Sequence, residues 1–285
     1  MKNGLLSIHD LTRYQFNLIL ETARRMKRQP QRYRARLSGR TLAVISTAKD
    51  YRPPACFQTA ISQLGGTPIP VPAGTPEPPR VTARTLERWA DGIMVNIPDH
   101  AAARKMAEAV HIPVYNGGSD RHDPSLGMTG IFTLQEMNRY PGDMKIALLD
   151  ATTPMINSWT GASLHSGCRL AIHARKGADT SISPPGLDPE NHPEFLAEPG
   201  DAARDAFAVF SSPSDDLHPR PDSIEKTLLE CAEAGAVTIP GLPVGWKKSA
   251  GDQRIEAAES AGFEFMENKL HIQKAIMVLL YERQL

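Results

Sequence analysis

Short apolar runs of strand length alternate with amphipathic runs of helix length along this chain, and the alternation occurs twice. "RTLAVIST" has the composition of a buried strand, "PPACFQTAISQLGG" follows as a helix with proline in its first turn and glycine as its stop, and "TPIPVP" is extended. "ADGIMVNIP" is a further strand, "DHAAARKMAEAV" a helix opened by Asp99, and "IPVYNGG" a strand entering a glycine-rich loop. Ahead of them Leu11 to Arg28 reads as a helix with Asp10 or Thr12 as its N-cap. Such a β-α-β grammar is satisfied by a mostly parallel sheet with helices on both faces.

A helix from Leu126 to Asn138 ends at "RYPGD", and the hinge is placed near Pro141. The same pattern then restarts: "MKIALLDA" as strand, "INSWTGASLHSG" as helix, "CRLAIHARKG" and "AFAVFSS" as strands, Ser223 to Ala234 as helix, "AVTIP" as strand, and a last helix "ENKLHIQKAIMVLLYERQL". The expected fold is α/β, with two doubly wound domains, residues 1–140 and 141–266, each built on a mostly parallel sheet. The 285 residues suffice for two cores of this size. Ligands of such sheets bind beyond the carboxyl ends of the strands, so the chemistry is sought in the loops that leave them.

Charge narrows the partners. Lys+Arg and Asp+Glu both total 32, which leaves no net field to favour nucleic acid or an anionic membrane surface. The three cysteines form no CxxC and read as reduced thiols. The histidines have no metal-ligand spacing, and GxSxG, P-loop and GxGxxG motifs are absent, so neither metal nor cofactor is expected. The first residues lack an apolar signal core and no run of about 18 apolar residues occurs, which predicts a soluble, cytoplasmic protein acting on a small molecule.

Five segments in series, "LLSIHDLTRYQFNLILETARRMK", "FQTAISQLGG", "HIPVYNGGSDRHDPSLGMTGIFTLQE", "MKIALLD" and "ENKLHIQKAIMVLL", resemble successive landmarks of the aspartate and ornithine carbamoyltransferase family. The resemblance implies a carbamoyl phosphate domain, an amino-acid domain, a final helix (267–285) packed back on the first domain, and a homotrimer with active sites between subunits.

It also exposes departures. The family cradles phosphate with a Ser-Thr-Arg-Thr-Arg loop, and the matching stretch here is Asp50-Tyr51-Arg52-Pro53-Pro54. Only Arg52 matches; the prolines remove N–H donors and Asp50 brings negative charge to an anion's seat. The arginine of the family's Arg-His-Pro run is Asn96, and its His-Pro-x-Gln signature becomes Asp123-Pro124-Ser125-Leu126, with His122 one residue away. In the second half Asn157, Leu242, Pro243 and Lys247 fall in the family's amino-acid-binding stretches. Losing one preorganised donor costs on the order of 3 kcal/mol of transition-state stabilisation, and several are missing together.

The candidate catalytic residues are therefore Arg52, Asp50, Tyr51, Asp123 and His122, and the candidate substrate-binding residues Asn96, Asn157, Leu242, Pro243 and Lys247. For Arg52 the rival role is a structural ion pair with Asp50; for Asp123 and His122 it is an exposed polar turn. The leading expectation is a divergent carbamoyltransferase-like enzyme acting on a small amino- or carboxylate-bearing metabolite in a rebuilt interdomain cleft. A non-catalytic metabolite-binding or assembly subunit, and a true carbamoyltransferase with an unusual site, stay open.

Overall fold

The structure, a computed structural model, describes residues 4–47, 50–74, 77–139, 142, 144–181, 192–214, 221–242 and 253–285. In chain order the elements are β1 (Gly4–Leu5), α1 (Arg13–Arg28), β2 (Thr41–Ser46), α2 (Arg52–Gln63), β3 (Thr67–Pro72), α3 (Pro79–Leu86), β4 (Gly92–Asn96), α4 (His100–Ala109), β5 (Val114–Asn116) and α5 (Pro124–Glu136). Then follow β6 (Lys145–Ala151), α6 (Thr153–Ser166), β7 (Arg169–Ala174), β8 (Glu194–Phe195), α7 (Pro199–Ala203), β9 (Ala208–Ser211), α8 (Asp222–Glu233), β10 (Val237–Pro240) and α9 (Gln253–Tyr281). Two compact units result: Met1–Thr129 with Asn268–Leu285, and Gly130–Glu267.

The first unit is a parallel five-stranded sheet in the order β1-β5-β4-β2-β3. Its inner strands are apolar because helices cover both faces; Ala43, Ile45, Ile93, Val95 and Val114 lie in one core with Ala83, Ala103 and Met106 of α3 and α4. Helix α1 is set by a capping box in which Thr12 and Gln15 satisfy each other's backbone N–H groups. Thr12 is thus the cap, while Asp10 closes a short 3-10 turn with Ser7.

Strand β3 shows how composition protects an edge. The N–H groups of Thr67 and Ala73 donate inward to the carbonyls of Arg40 and Ser46, so odd positions face β2. Pro68, Pro70 and Pro72 fall on the outward side, where they remove the donors that an incoming strand would pair with. The next stretch contains α3: Pro79 occupies its first turn, where an N–H has no intrahelical partner and its absence costs nothing.

The second unit is a parallel sheet in the order β10-β9-β6-β7-β8 around Ala147, Leu149, Ala171, Val209 and Ile224. Here Gly130 touches the Trp159 ring; an added Cβ would lie 2.3 Å from its Cζ2, and Trp159 is only 1% exposed. Only glycine fits.

Residues 268–281 of α9 carry an unusual load of buried polar groups. Asn268 and Gln273 are 0% and Lys274 4% exposed. Lys27 Nζ donates to Asn268 Oδ1 at 2.8 Å and Lys274 Nζ to Gln63 Oε1 at 2.9 Å, which fastens this stretch to α1 and α2. No helix among the described residues is long and apolar enough to cross a membrane.

Candidate functional site

In the first sheet the chain passes from β2 to β3 on one side and to β4 on the other, so the crevice for a ligand opens between the carboxyl ends of β2 and β4. Two side chains stitch that crevice: Ser46 Oγ donates to Asn96 Oδ1 at 3.1 Å. Asn96 Nδ2 donates to the carbonyls of Gly117 and Gly118 at 3.2 and 3.0 Å, while its own carbonyl accepts from Thr47 N–H. Asn96 therefore lies where the sequence placed it, with both ends of its amide engaged in holding β2, β4 and the loop after β5 together.

The head of α2 is closed in the same way. Asp50 accepts from Arg52 N–H at 3.0 Å and grips its guanidinium through Nε at 2.7 Å and Nη2 at 2.9 Å. The next two helical positions, Pro53 and Pro54, have no N–H, and Ala55 N–H is bonded to the Tyr51 carbonyl. A helix N-terminus attracts anions through its orphan N–H groups and dipole; none of the first four donors is left for one here. The structure shows Arg52 in an ion pair with Asp50. Tyr51 projects away, 75% exposed.

Asp123 caps α5, accepting from Ser125 N–H at 3.1 Å and Ser125 Oγ at 2.7 Å. Its other oxygen takes Lys269 Nζ at 2.7 Å, and the two side chains are 15% and 10% exposed. The exposed-turn reading of Asp123 is corrected: a lysine from the last helix buries it. Nearby Cys56, one turn into α2, has its thiol pushed up to about 11 by burial, so it is not a thiolate at neutral pH.

His122 takes partners of its own instead of the Asp123 carboxylate. Its Nδ1 lies 3.2 Å from the Ser7 hydroxyl, which also accepts from His9 N–H at 3.2 Å. The His100 ring stands 4.6 Å from it and the His9 ring 6.3 Å. Burial, then the neighbouring His100 and His9, hold His122 down at about 4. Asn116, 3% exposed, fixes the loop by donating to the carbonyls of Leu6 and His122 at 2.8 and 2.9 Å. The described residues contain no group of three His, Cys, Asp or Glu placed to hold a metal.

The second sheet switches direction between β6 and β9. There Asp150 adopts φ 52°, a left-handed conformation rare for anything but glycine, beside a register shift in the β6–β7 ladder. Arg175 Nη2 holds its Oδ2 at 2.6 Å and reaches the Pro213 carbonyl at 3.3 Å, and Asp150 N–H donates to His173 Nδ1 at 3.3 Å. Ser211, 5% exposed, keeps a buried hydroxyl without a hydrogen-bond partner among the described residues. Asn157 lies in α6, 6% exposed, and Leu242 is half-buried after β10. Pro243, Lys247 and the hinge at Pro141 lie outside the described residues.

Sequence reasoning did not single out Lys269, Asp150 or Arg175. Lysine in a helix of apolar character signals a buried pair, but its partner 146 positions away is not visible in one sequence. The backbone strain at Asp150 leaves no mark in composition.

Residues 3–136 match the family model described as aspartate/ornithine carbamoyltransferase, carbamoyl-P binding domain. The chain is 28% identical to an ornithine carbamoyltransferase of Methanoculleus marisnigri, covering 98% of this chain and 97% of that protein. It is 29% identical to one of Staphylothermus marinus, covering 96% of each. Among solved structures, ornithine carbamoyltransferase from Thermus thermophilus matches with TM-score 0.84 at 24% identity, over 98% of this chain and 99% of that one. The enzyme from Gloeobacter violaceus matches with TM-score 0.83 at 26% identity, over 98% and 99%.

Proposed function

The chain belongs to the aspartate/ornithine carbamoyltransferase family, and from that membership we propose a divergent carbamoyltransferase-like enzyme that does not seat carbamoyl phosphate at the head of α2. Its substrate is a small metabolite bearing an amino or carboxylate group. One observation carries the proposal: the first four N–H positions of α2 are spent on Asp50, on two prolines and on a backbone carbonyl, and the only arginine of the cradle is neutralised by Asp50. In the second unit, Asp150, Arg175 and the orphaned Ser211 hydroxyl are the polar groups at the switch point, and they suit a zwitterionic amino acid better than an apolar ligand.

The same reading takes unit one as the donor-binding-like domain and unit two as the amino-acid-binding-like domain of a cytoplasmic homotrimer. It involves no cofactor, nucleic acid or membrane.

A non-catalytic metabolite-binding or assembly subunit is the second reading, and a specific pattern favours it. Arg52, Asn96, Asp123 and His122 are each engaged by the chain's own groups. Thermal unfolding with carbamoyl phosphate, inorganic phosphate, and a panel of amino and dicarboxylic acids tests the ligand class, since a ligand at 100 times its Kd adds about 2.7 kcal/mol. The enzyme proposal expects stabilisation by an amino or dicarboxylic acid and none by carbamoyl phosphate, together with turnover of the acid that stabilises. Stabilisation by micromolar carbamoyl phosphate overturns it; stabilisation without turnover supports a metabolite-binding subunit, and no response to any ligand supports an assembly subunit.

A further inference from the structure

On the first unit a groove of about 730 Å³ runs along the outer face of α3 and past the end of α4. Its volume falls within the range of small-ligand sites. Two features of its wall bear on what it can bind. The side chains of Arg84 and Arg88, four positions apart, make no hydrogen bond or ion pair among the described residues, and like charges at that spacing repel. The end of a helix offsets part of that repulsion through its dipole. The dipole does not account for Trp89, which presents an indole that is 68% exposed beside Val81 at 47%.

The one acid of the groove makes no ion pair with the arginines among the described residues: Glu87 Oε1 accepts from His111 N–H at 2.6 Å, and with its charge counted the lining keeps one net positive charge. The wall thus offers two guanidinium forks, which match carboxylate or phosphate oxygens in pairs, and one flat aromatic face, which stacks on another ring or on a planar π system. Thr85 adds a hydroxyl on the same face.

We propose that this groove binds a planar aromatic anion, its ring on Trp89 and its acidic group on Arg84 and Arg88, at a site separate from the carboxyl ends of the strands. Nothing in this inference depends on what the head of α2 binds.

The test is tryptophan fluorescence of the full chain, backed by calorimetry, during titration with benzoate, AMP, adenosine and inorganic phosphate. Trp159 is buried, so quenching from the solvent side reports on exposed indoles, and Trp89→Leu identifies the part that comes from this groove. The expected result is saturable binding of benzoate or AMP with Kd on the order of 100 µM or below, and at least about tenfold weaker binding of adenosine and of phosphate alone. Arg84→Ala and Arg88→Ala should each weaken it about tenfold with an unchanged circular dichroism spectrum. A preference for benzoate assigns a carboxylate ligand, and a preference for AMP a phosphate.

Absence of saturable binding up to about 5 mM overturns the proposal, as does equal binding by Trp89→Leu or by the arginine variants. A lowered oligomeric mass of Trp89→Leu in light scattering overturns it too, since the face would then be an interface between copies.

Discussion

The Asp50 carboxylate chelates Arg52, taking Nε at 2.7 Å and Nη2 at 2.9 Å, and also accepts the Arg52 backbone N–H. One acid thus accepts the first helical N–H in an Asx-type turn and pairs with the arginine that opens the helix. The two bonds have different weights. The ion pair is 23% and 44% exposed on its two sides and contributes at most about 1 kcal/mol, while the backbone bond survives truncation of the residue 52 side chain.

Arg52→Ala should therefore cost below about 0.5 kcal/mol in urea unfolding, and Asp50→Ala, which loses the backbone bond as well as the pair, about 1 kcal/mol or more. The reverse order would show that the guanidinium, and not the Asx-type bond, organises this turn.

Asp123 and Lys269 form a far more secluded pair. Removing one partner strands the other, so Lys269→Met or Asp123→Asn alone should destabilise by about 3 kcal/mol. The double variant should lose less than the two single losses added together, by at least about 1 kcal/mol in a double-mutant cycle. Additive losses would mean that the two groups do not interact in solution.

Gly130 and Trp159 give a packing test. Gly130→Ala should cost about 1–3 kcal/mol because the Trp159 indole is fixed between Gly130 and Phe210, whose ring centroid is 4.4 Å away. Near-ultraviolet circular dichroism should change with it, since that indole would have to move. A variant as stable as the native chain would contradict the packing described.

The histidines set the response to acid. In the folded chain His122 and His271 are both held at about 4, against 6.5 for a free imidazole, each chiefly by burial. Below pH 6.5 the unfolded chain therefore binds protons that the folded chain refuses. Stability is complete above about pH 6.5, declines as pH falls towards 4, and levels off below it as far as these groups are concerned. His122→Gln should flatten part of this slope in chemical denaturation measured from pH 7 to pH 4. An unchanged slope would remove His122 from the explanation.

Much of this was legible in the sequence. Apolar periodicity located most of the strands and longer helices, because burial on both faces of a parallel sheet imposes near-continuous apolar runs. The two-residue β1 is too short to leave a pattern, and α3 was hidden by prolines that its first turn tolerates. Which residues follow the ends of β2, β4 and β5 was readable. What each one touches was not, because the Asn96 amide is completed by Ser46 and by glycine carbonyls about twenty positions on, and Asp123 by a lysine in the last helix.

Calorimetric titration of the full chain with carbamoyl phosphate tests the central claim, that the chain's own carboxylate fills the phosphate seat. The account predicts no saturable heat up to about 1 mM for the native chain and measurable binding once Asp50→Ser frees Arg52. Saturable micromolar binding by the native chain, diminished in Arg52→Ala, would contradict it.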